Sequence, residues 1–408
     1  MTNATLPVTL KNKFEVSLQY VDTSFENTDN VQIVYDSDKR ITMFSLDVKK
    51  DLDMPVIGRA KFNFSSDKVD VVHDFDYGLQ YVLSPDGNIC YEVSSINGEL
   101  GDVEKNAEKK LKLRSAADML VGTYGAPFYY EEEIMSEAGE ILDKYVTKVY
   151  DEGKNYSVVE ILFTKKGWSV GSAGSGDQTI YSVTHFHKSE QHTLLKTTTI
   201  RFYEFSDRTV TGTQWTRQNV LPCLKFTRDS YYFVKIVDSS VEDMKKIGMD
   251  HVGSALAESL AKIANVSVLR IAEPYYRQDK KDVYVYFALG EASGITPADT
   301  ENRKTEIPLV NATAAINATI SSEDVFFTVK NNGQERRFTL QKNAFGVAPT
   351  GSPPPLPPSP FMGYSGGSMF VLGIFMFLFG ALVSVGGLIM YWRSSRGRMG
   401  GHVYQVFE

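Results

Sequence analysis

From Lys13 to about Phe226 apolar and polar residues alternate in run after run: KFEVSLQYV, NVQIVYD, KRITMFSLDV, RAKFNFS, KVDVVHDF, LQYVLS and NICYEVSS. A period of two puts every second side chain on one face of a pleated strand, so each run buries one face and wets the other. Turn residues such as Asp36-Ser37-Asp38 and Pro85-Asp86-Gly87-Asn88 separate the runs. A charged stretch from Asp102 to Leu120, with Leu111, Leu113, Ala116, Met119 and Leu120 at helical spacing, reads as a helical interlude. LDKYVTKVYD, SVVEILFTKK, QTIYSVTHFH and TLLKTTTIRFYEF then resume the alternation. The expectation for residues 13–226 is a mainly β domain, one large curved antiparallel sheet or half-barrel with a concave face.

The period changes at Ser230. SYYFVKIVD reads as a strand, Ser240 with Asp243 as a capping box, and Val241 to Ile263 as helix. VSVLRIAEP and DVYVYFALG read as strands, EIPLVNATAAINATIS as a second helix, and EDVFFTVK with ERRFTLQK as a hairpin turning at Asn331-Asn332-Gly333. The order β-α-β-β-α-β predicts a ferredoxin-like α+β domain over 229–343.

The chain from Ala344 to Trp392 carries no charge. Its first part, 344–368, is rich in proline, then glycine and serine, which suits an extended stalk. Its second part, Met369 to Trp392, is apolar and spans roughly 36 Å as a helix against a hydrocarbon core of about 30 Å. A transmembrane helix is predicted there. Tyr391 and Trp392 fit an aromatic belt, and Arg393, Arg396 and Arg398 assign the tail, 393–408, to the cytoplasm. Gly373, Gly380, Ser384 and Gly387 share one helix face, on which a homodimer would pack.

Six N-x-S/T sequons, at Asn3, Asn63, Asn155, Asn265, Asn311 and Asn317, favour a lumenal or external body, hence a single-pass type I glycoprotein, over a tail-anchored cytosolic one. The opening MTNATLPVTLKNKF lacks the apolar core of a signal peptide, so a leader removed or lying upstream is expected. In the tail, Tyr404-Gln405-Val406-Phe407 resembles the tyrosine-based sorting signal read by clathrin adaptors, which implies the cell surface, endosomes or lysosomes. The formal charge of −7, with three arginines following the apolar run, makes the body acidic and argues against a nucleic-acid partner. Cys90 and Cys223, the two cysteines, are expected to form one bridge, the alternative being two separate buried thiols.

Motifs that suggest chemistry have simpler readings. Gly167-Trp168-Ser169-Val170-Gly171 matches a nucleophile-elbow pattern, but the glycine-serine loop behind it leads into a strand where the elbow needs a helix. The following GSAGSGDQ lacks the lysine of a phosphate loop, Asp177 standing in its place. His185, His187 and His192, with Glu190, offer imidazoles for a transition metal or for sensing acid, yet lie in a polar hairpin that explains them equally well. Asp74 with Asp76, and Glu131-Glu132-Glu133, are hard-oxygen groups without the spacing of a calcium loop. Neither a catalytic residue, a metal nor a cofactor is assigned.

The runs VQIVYDSDKRITMF and DYGLQYVLSPDGNICYEVSS, and TTIRFYEFSDRTV shortly before Cys223, resemble the strand-cysteine layout of animal ependymin-related and LolA-like extracellular proteins. The β-α-β-β-α-β unit, stalk and glycine-rich span resemble the SEA-like module and anchor that some of those proteins carry. EPYYRQDKK, from Glu273 to Lys281, lacks the glycine-serine turn of self-cleaving SEA modules. The resemblance implies a half-barrel that holds an apolar ligand, typically lipid, on its concave sheet. The expectation is therefore a non-enzymatic glycoprotein whose β domain binds a hydrophobic ligand through strand faces such as Val31, Ile33 and Tyr35, or Phe62 and Phe64. A cell-surface adhesion or receptor ectodomain without a ligand cavity is the alternative.

Overall fold

The computed structural model describes residues 3–7, 12–23, 27–47, 52–54, 58–60, 68–150, 155–165, 178–206, 220–227, 230–272, 274–331, 333–348 and 385. Residues 1–349 form one compact unit and 350–408 another, of which Val385, helical and exposed, is described.

Strands β1 (Asn3–Ala4), β2 (Lys13–Asp22), β3 (Asn27–Asp36) and β4 (Ile41–Asp47) lead to a small hairpin, β5 (Leu52–Met54) and β6 (Gly58–Ala60). Next come β7 (Lys68–Asp74), β8 (Leu79–Leu83) and β9 (Cys90–Ser95), then the hairpin β10 (Val103–Lys105) and β11 (Leu111–Leu113) and helix α1 (Ala116–Leu120). The β domain closes with β12 (Phe128–Met135), β13 (Ile141–Tyr150), β14 (Tyr156–Thr164), β15 (Ile180–Lys188) and β16 (Leu194–Ser206). Twelve of these strands form one sheet, in the order β1-β12-β13-β14-β15-β16-β2-β3-β4-β7-β8-β9.

That order makes the chain cross the sheet. Having finished β9 at one edge, it must reach β12 near the other, and Ile96–Phe128 is the crossing. Ile96, Leu100, Val103, Met119, Leu120, Val121 and Phe128 lie in one buried cluster with Phe14, Val16, Leu18, Val31, Ile33, Phe44 and Val71 of the sheet's inner face. Each such apolar side chain stabilises the fold by about 1.5–3 kcal/mol when fully buried. The crossing is thus a hairpin and a five-residue helix where a longer helix over 102–120 was expected. The cause is local: Asn106 Oδ1 accepts from the Glu108 and Lys110 amides, and Lys109 at φ 64° closes a tight turn.

On the outer face, Val34, Ile41, Met43, Val72, Leu79 and Tyr81 are covered by Val220, Leu224 and Leu269. This is why β7 and β8 are buried on both faces. The Cys90–Cys223 disulfide forms as expected and ties the covering segment to β9.

The second domain comprises β17 (Tyr231–Val237), α2 (Val241–Ile247), α3 (Met249–Ala264), β18 (Tyr275–Asp279), β19 (Asp282–Ala288), α4 (Leu309–Ser322), β20 (Val325–Asn331) and β21 (Gln334–Val347). Its sheet runs β18-β19-β17-β21-β20, with the helices on one face over Val234, Ile236, Val283, Val285, Phe327 and Leu340. Ser240 caps α2 by accepting from the Asp243 amide, as its sequence suggested.

Three boundaries differ from the sequence reading. VSVLRIAEP is no strand: Ser267 accepts from the Leu269 amide and sets up a 3-10 turn over Val268–Arg270. Its place as the second strand is taken by β18 (Tyr275–Asp279), so the domain has the five strands that the runs gave, one more than the order β-α-β-β-α-β holds. Leu289–Pro308 touches the β domain, and after α4 the strand β20 takes the sheet's edge while β21 fills the place beside β17. Residues 344–347, expected in the stalk, extend β21, because Val347, Gly346 and Phe345 pair with Tyr232, Phe233 and Val234, and the Phe345 ring stacks on Tyr232 at 5.4 Å.

No helix among the described residues is long and apolar enough to cross a membrane. The span predicted over Met369–Trp392 with Gly373, Gly380, Ser384 and Gly387, the motif Tyr404 to Phe407, the sequon Asn63 and the residues Phe62, Phe64 and Gly167–Gly171 lie outside the described residues.

Candidate functional site

The inner face divides where the crossing segment ends its coverage. Over β2 to β7 it is filled. Val31 and Ile33 are fully buried, and Tyr35 stacks on Phe14 at 5.0 Å while its hydroxyl donates to the Arg114 carbonyl at 3.0 Å. These faces, expected to receive a ligand, instead hold the protein's own cover. A polar network fastens it: Asp102, fully buried on the crossing segment, accepts from the Thr42 hydroxyl and lies 2.7 Å from His73 Nδ1, whose Nε2 lies 3.1 Å from Gln80 Oε1. Thr42, His73 and Gln80 are direct cross-strand neighbours, so the network is one row of the sheet. The His73–Asp102 pair is enclosed at 0% exposure.

Over β12 and β13 the cover thins, while Ile161 of β14 and Val183 of β15 stay buried beneath it. Tyr145, opposite Ile161, Val183, Ile200 and Tyr20 in turn, begins an apolar row across the sheet. Tyr145, Val149 and Tyr124 are only partly buried against this floor, and Tyr130 is 42% exposed. Their rings meet edge to face, Tyr130–Tyr145 at 5.5 Å and Tyr145–Phe163 at 5.6 Å. One step toward the hairpin ends the row turns polar: Thr147, Val159, His185, Thr198 and Asp22 stand in register, and beyond them Val149, Ser157, His187 and Lys196. The result is an apolar floor bordered on one side by hydroxyl, imidazole, ammonium and carboxylate groups. An amphiphile fits such a surface, its chain on the aromatics and its head against the polar rows.

The histidines do not gather around a metal. His185 Nε2 is 3.0 Å from the Tyr124 hydroxyl, His187 Nδ1 is 2.9 Å from Ser157 Oγ, and His192 Nδ1 is 2.7 Å from the Tyr156 hydroxyl. No group of three potential ligands converges among the described residues. Burial, with His187 and Lys196 nearby, lowers the His185 pKa to about 4, so this imidazole stays neutral through mildly acidic conditions. Three of the acidic candidates are engaged by cations. Asp76 meets Arg40 at 3.2 Å and Lys304, Glu131 meets Lys144 at 3.1 Å, and Glu133 meets Lys165.

Sequence reading singled out the histidine hairpin but neither Tyr124, Tyr130 and Tyr145 nor the Thr42–Asp102–His73–Gln80 row. A histidine among the apolar residues of KVDVVHDF was the available signal for the second. Tyr124 reaches His185 only through the crossing, which alternation does not reveal.

Among known proteins, the profile of the family described as the metazoan second LolA-like domain matches residues 1–224. Residues 230–350 match a domain of unknown function, DUF7959. No curated protein matches the chain. Among solved structures, the crystal structure of an uncharacterized conserved protein from Thermus thermophilus aligns at 10% identity over 50% of this chain and 84% of that one, with a TM-score of 0.26.

Proposed function

The chain belongs to the family of metazoan second LolA-like domains, and from that premise we propose that its β domain binds a hydrophobic, lipid-like ligand without catalysing a reaction. The observation that carries this reading is the partly exposed aromatic pair Tyr130 and Tyr145 on β12 and β13, with Tyr124 of the crossing beside it and the polar rows of His185 and His187 adjoining. The ligand lies there, over β12 and β13, and not over the filled faces of Val31, Ile33 and Tyr35.

We also propose that the protein is a single-pass type I glycoprotein, as its sequence suggests. The helix over Met369–Trp392 anchors it and dimerises through Gly373, Gly380, Ser384 and Gly387. Tyr404 and Phe407 engage a clathrin adaptor, and the body faces the exterior or the endosomal and lysosomal lumen. The exposure of Asn155, Asn265, Asn311 and Asn317 supports glycosylation, since an oligosaccharide needs a solvent-facing amide. Likeness to ependymin-related proteins and to SEA modules belongs to this same proposal.

A second reading, an adhesion or receptor ectodomain, is favoured by the second domain's uncovered sheet face. Tyr275, Tyr286 and Phe233 stand there in direct cross-strand register, ending at Gly346, where an added Cβ would lie 2.9 Å from the Phe233 ring. Native mass spectrometry of residues 1–368, secreted from animal cells, separates the two. A lipid retained at fixed stoichiometry and released on denaturation supports the binding reading. A folded, glycosylated but empty protein favours the adhesion reading, and the absence of glycan at all six sequons refutes the topology.

A further inference from the structure

The second domain meets the β domain through one continuous patch. Hydrogen bonds stitch it. The Ala298 amide donates to the Gly78 carbonyl at 3.0 Å, Lys304 N to Asp76 O at 2.6 Å, Leu111 N to Asp299 O at 2.9 Å and Glu301 N to Leu111 O at 2.8 Å, and the Thr300 hydroxyl donates to Phe75 O at 2.7 Å. Within this patch lies the carboxyl group of Asp74, at the end of β7, 1% exposed. The Ser267 hydroxyl of the second domain donates to Asp74 Oδ2, and the Tyr77 amide lies 3.3 Å from Oδ1.

No ion pair reaches this carboxyl group among the described residues, and the charged groups around it do not neutralise it. From its own turn come Asp76 and Tyr77, from β8 Tyr81, from the Leu289–Pro308 segment Glu306, and from the 3-10 turn Arg270. Asp76 and Glu306 repel a carboxylate. Arg270 is committed elsewhere: Nε donates to Gly290 O at 3.0 Å and Nη1 to Ile307 O at 2.9 Å, with Glu306 Oε1 3.8 Å away. Arg40 and Lys304 hold Asp76. A carboxyl group buried in this way is far cheaper to keep protonated than ionised.

We propose that the contact between the two domains is an acid-tightened latch, in which Asp74 binds a proton as the domains close over it and releases that proton to solvent as they part. In its protonated form Asp74 still bonds Ser267, because a hydroxyl both donates and accepts. Burial, aided by Asp76 and Glu306, raises the Asp74 pKa to about 7 in the closed form, whereas an exposed aspartate titrates near 3.9. The closed form therefore holds the extra proton between these values. Acidification from neutral pH tightens the contact, and a rise through about pH 7 loosens it.

The amides of Ala298, Glu301 and Lys304 donate across the contact, so their exchange with deuterium reports its opening. In the full chain, after correction for intrinsic exchange, protection over Ala298–Lys304 should be roughly ten- to a hundredfold greater at pH 5 than at pH 8. Amides of β14, away from the patch, serve as the control. In Asp74→Asn, a neutral isostere of the protonated acid, the ratio should fall to about one. Equal protection of the native protein at both pH values overturns the latch, as does an undiminished ratio in Asp74→Asn. If that variant does not fold, Ser267→Ala decides. Losing the hydroxyl removes a partner that favours the ionised form, so the midpoint of the protection change must move to higher pH, and an unmoved midpoint overturns the proposal.

Discussion

Replacing Cys90 and Cys223 together by alanine should cost this protein a large share of its stability. The bridge closes a sequence separation of 133 residues, for which the chain-entropy model gives about 5 kcal/mol at 25 °C, an upper figure where the unfolded chain keeps structure. The native side of the balance points the same way. Cys223 ends a 3-10 turn whose neighbours Val220 and Leu224, 1% and 9% exposed, cover the outer face over Val34, Met43 and Tyr81. Leu224 also packs where a Cβ on Gly290 would sit, at 2.8 Å, and the Lys225 carbonyl accepts from the Glu291 amide at 3.0 Å. The tether thus holds a strap that touches both domains. Equilibrium urea denaturation followed by far-ultraviolet circular dichroism should show a loss of about 3–5 kcal/mol. The urea dependence should steepen, because the uncrosslinked unfolded chain expands. A stability within about 1 kcal/mol of the oxidised native protein, with an unchanged slope, would refute the reasoning.

Three further outcomes follow from the same geometry. Gly78→Ala places a Cβ 2.5 Å from the Ala298 carbonyl oxygen at a residue with φ +69°, so thermal unfolding should show a destabilisation of about 2 kcal/mol or more. Asp102→Ala leaves His73 and Thr42 buried without their acceptor and should cost about 3–5 kcal/mol in urea, with exchange rising first over Ile96–Phe128. His185 has its folded pKa lowered from 6.5 to about 4, so the unfolded chain takes the proton first and stability falls as pH drops across that window, by about 3 kcal/mol at most. His185→Gln should remove that loss in denaturation measured from pH 7 to pH 4. Asp74 and Asp70, both raised by burial, act with the opposite sign, so the histidine's share is read as the difference between His185→Gln and the native protein.

The strands were legible because their cause is local. In β2, Phe14, Val16, Leu18 and Tyr20 face the core in strict alternation, as KFEVSLQYV requires. The capping box of α2 was legible for the same reason, and the cysteine pair because the chain has two cysteines. The crossing was not, because Leu111, Leu113 and Met119 fit a helical stripe and a hairpin followed by a turn equally well, and the choice is made by Asn106 and by the sheet beneath. Nor was Leu289–Pro308. It has neither period, and its course is set by partners more than two hundred residues away in sequence, such as Gly78 and Phe75. The binding face shares this difficulty: alternation identifies the inward side chains of β13 and β14, but what covers each of them is decided by the crossing.

The proposal stands on a ligand lying over β12 and β13. A photoreactive phenylalanine analogue placed at Tyr145, at Val149, at Ile33 beneath the filled half and at Tyr284 on the other sheet tests this directly, with a radiolabelled fatty-acid mixture as probe. Crosslinks from 145 and 149, lost on adding excess unlabelled lipid and absent from 33 and 284, are the predicted result. Crosslinks from 33 or 284 equal to those from 145, or none at any position in a folded, lipid-retaining protein, would contradict it.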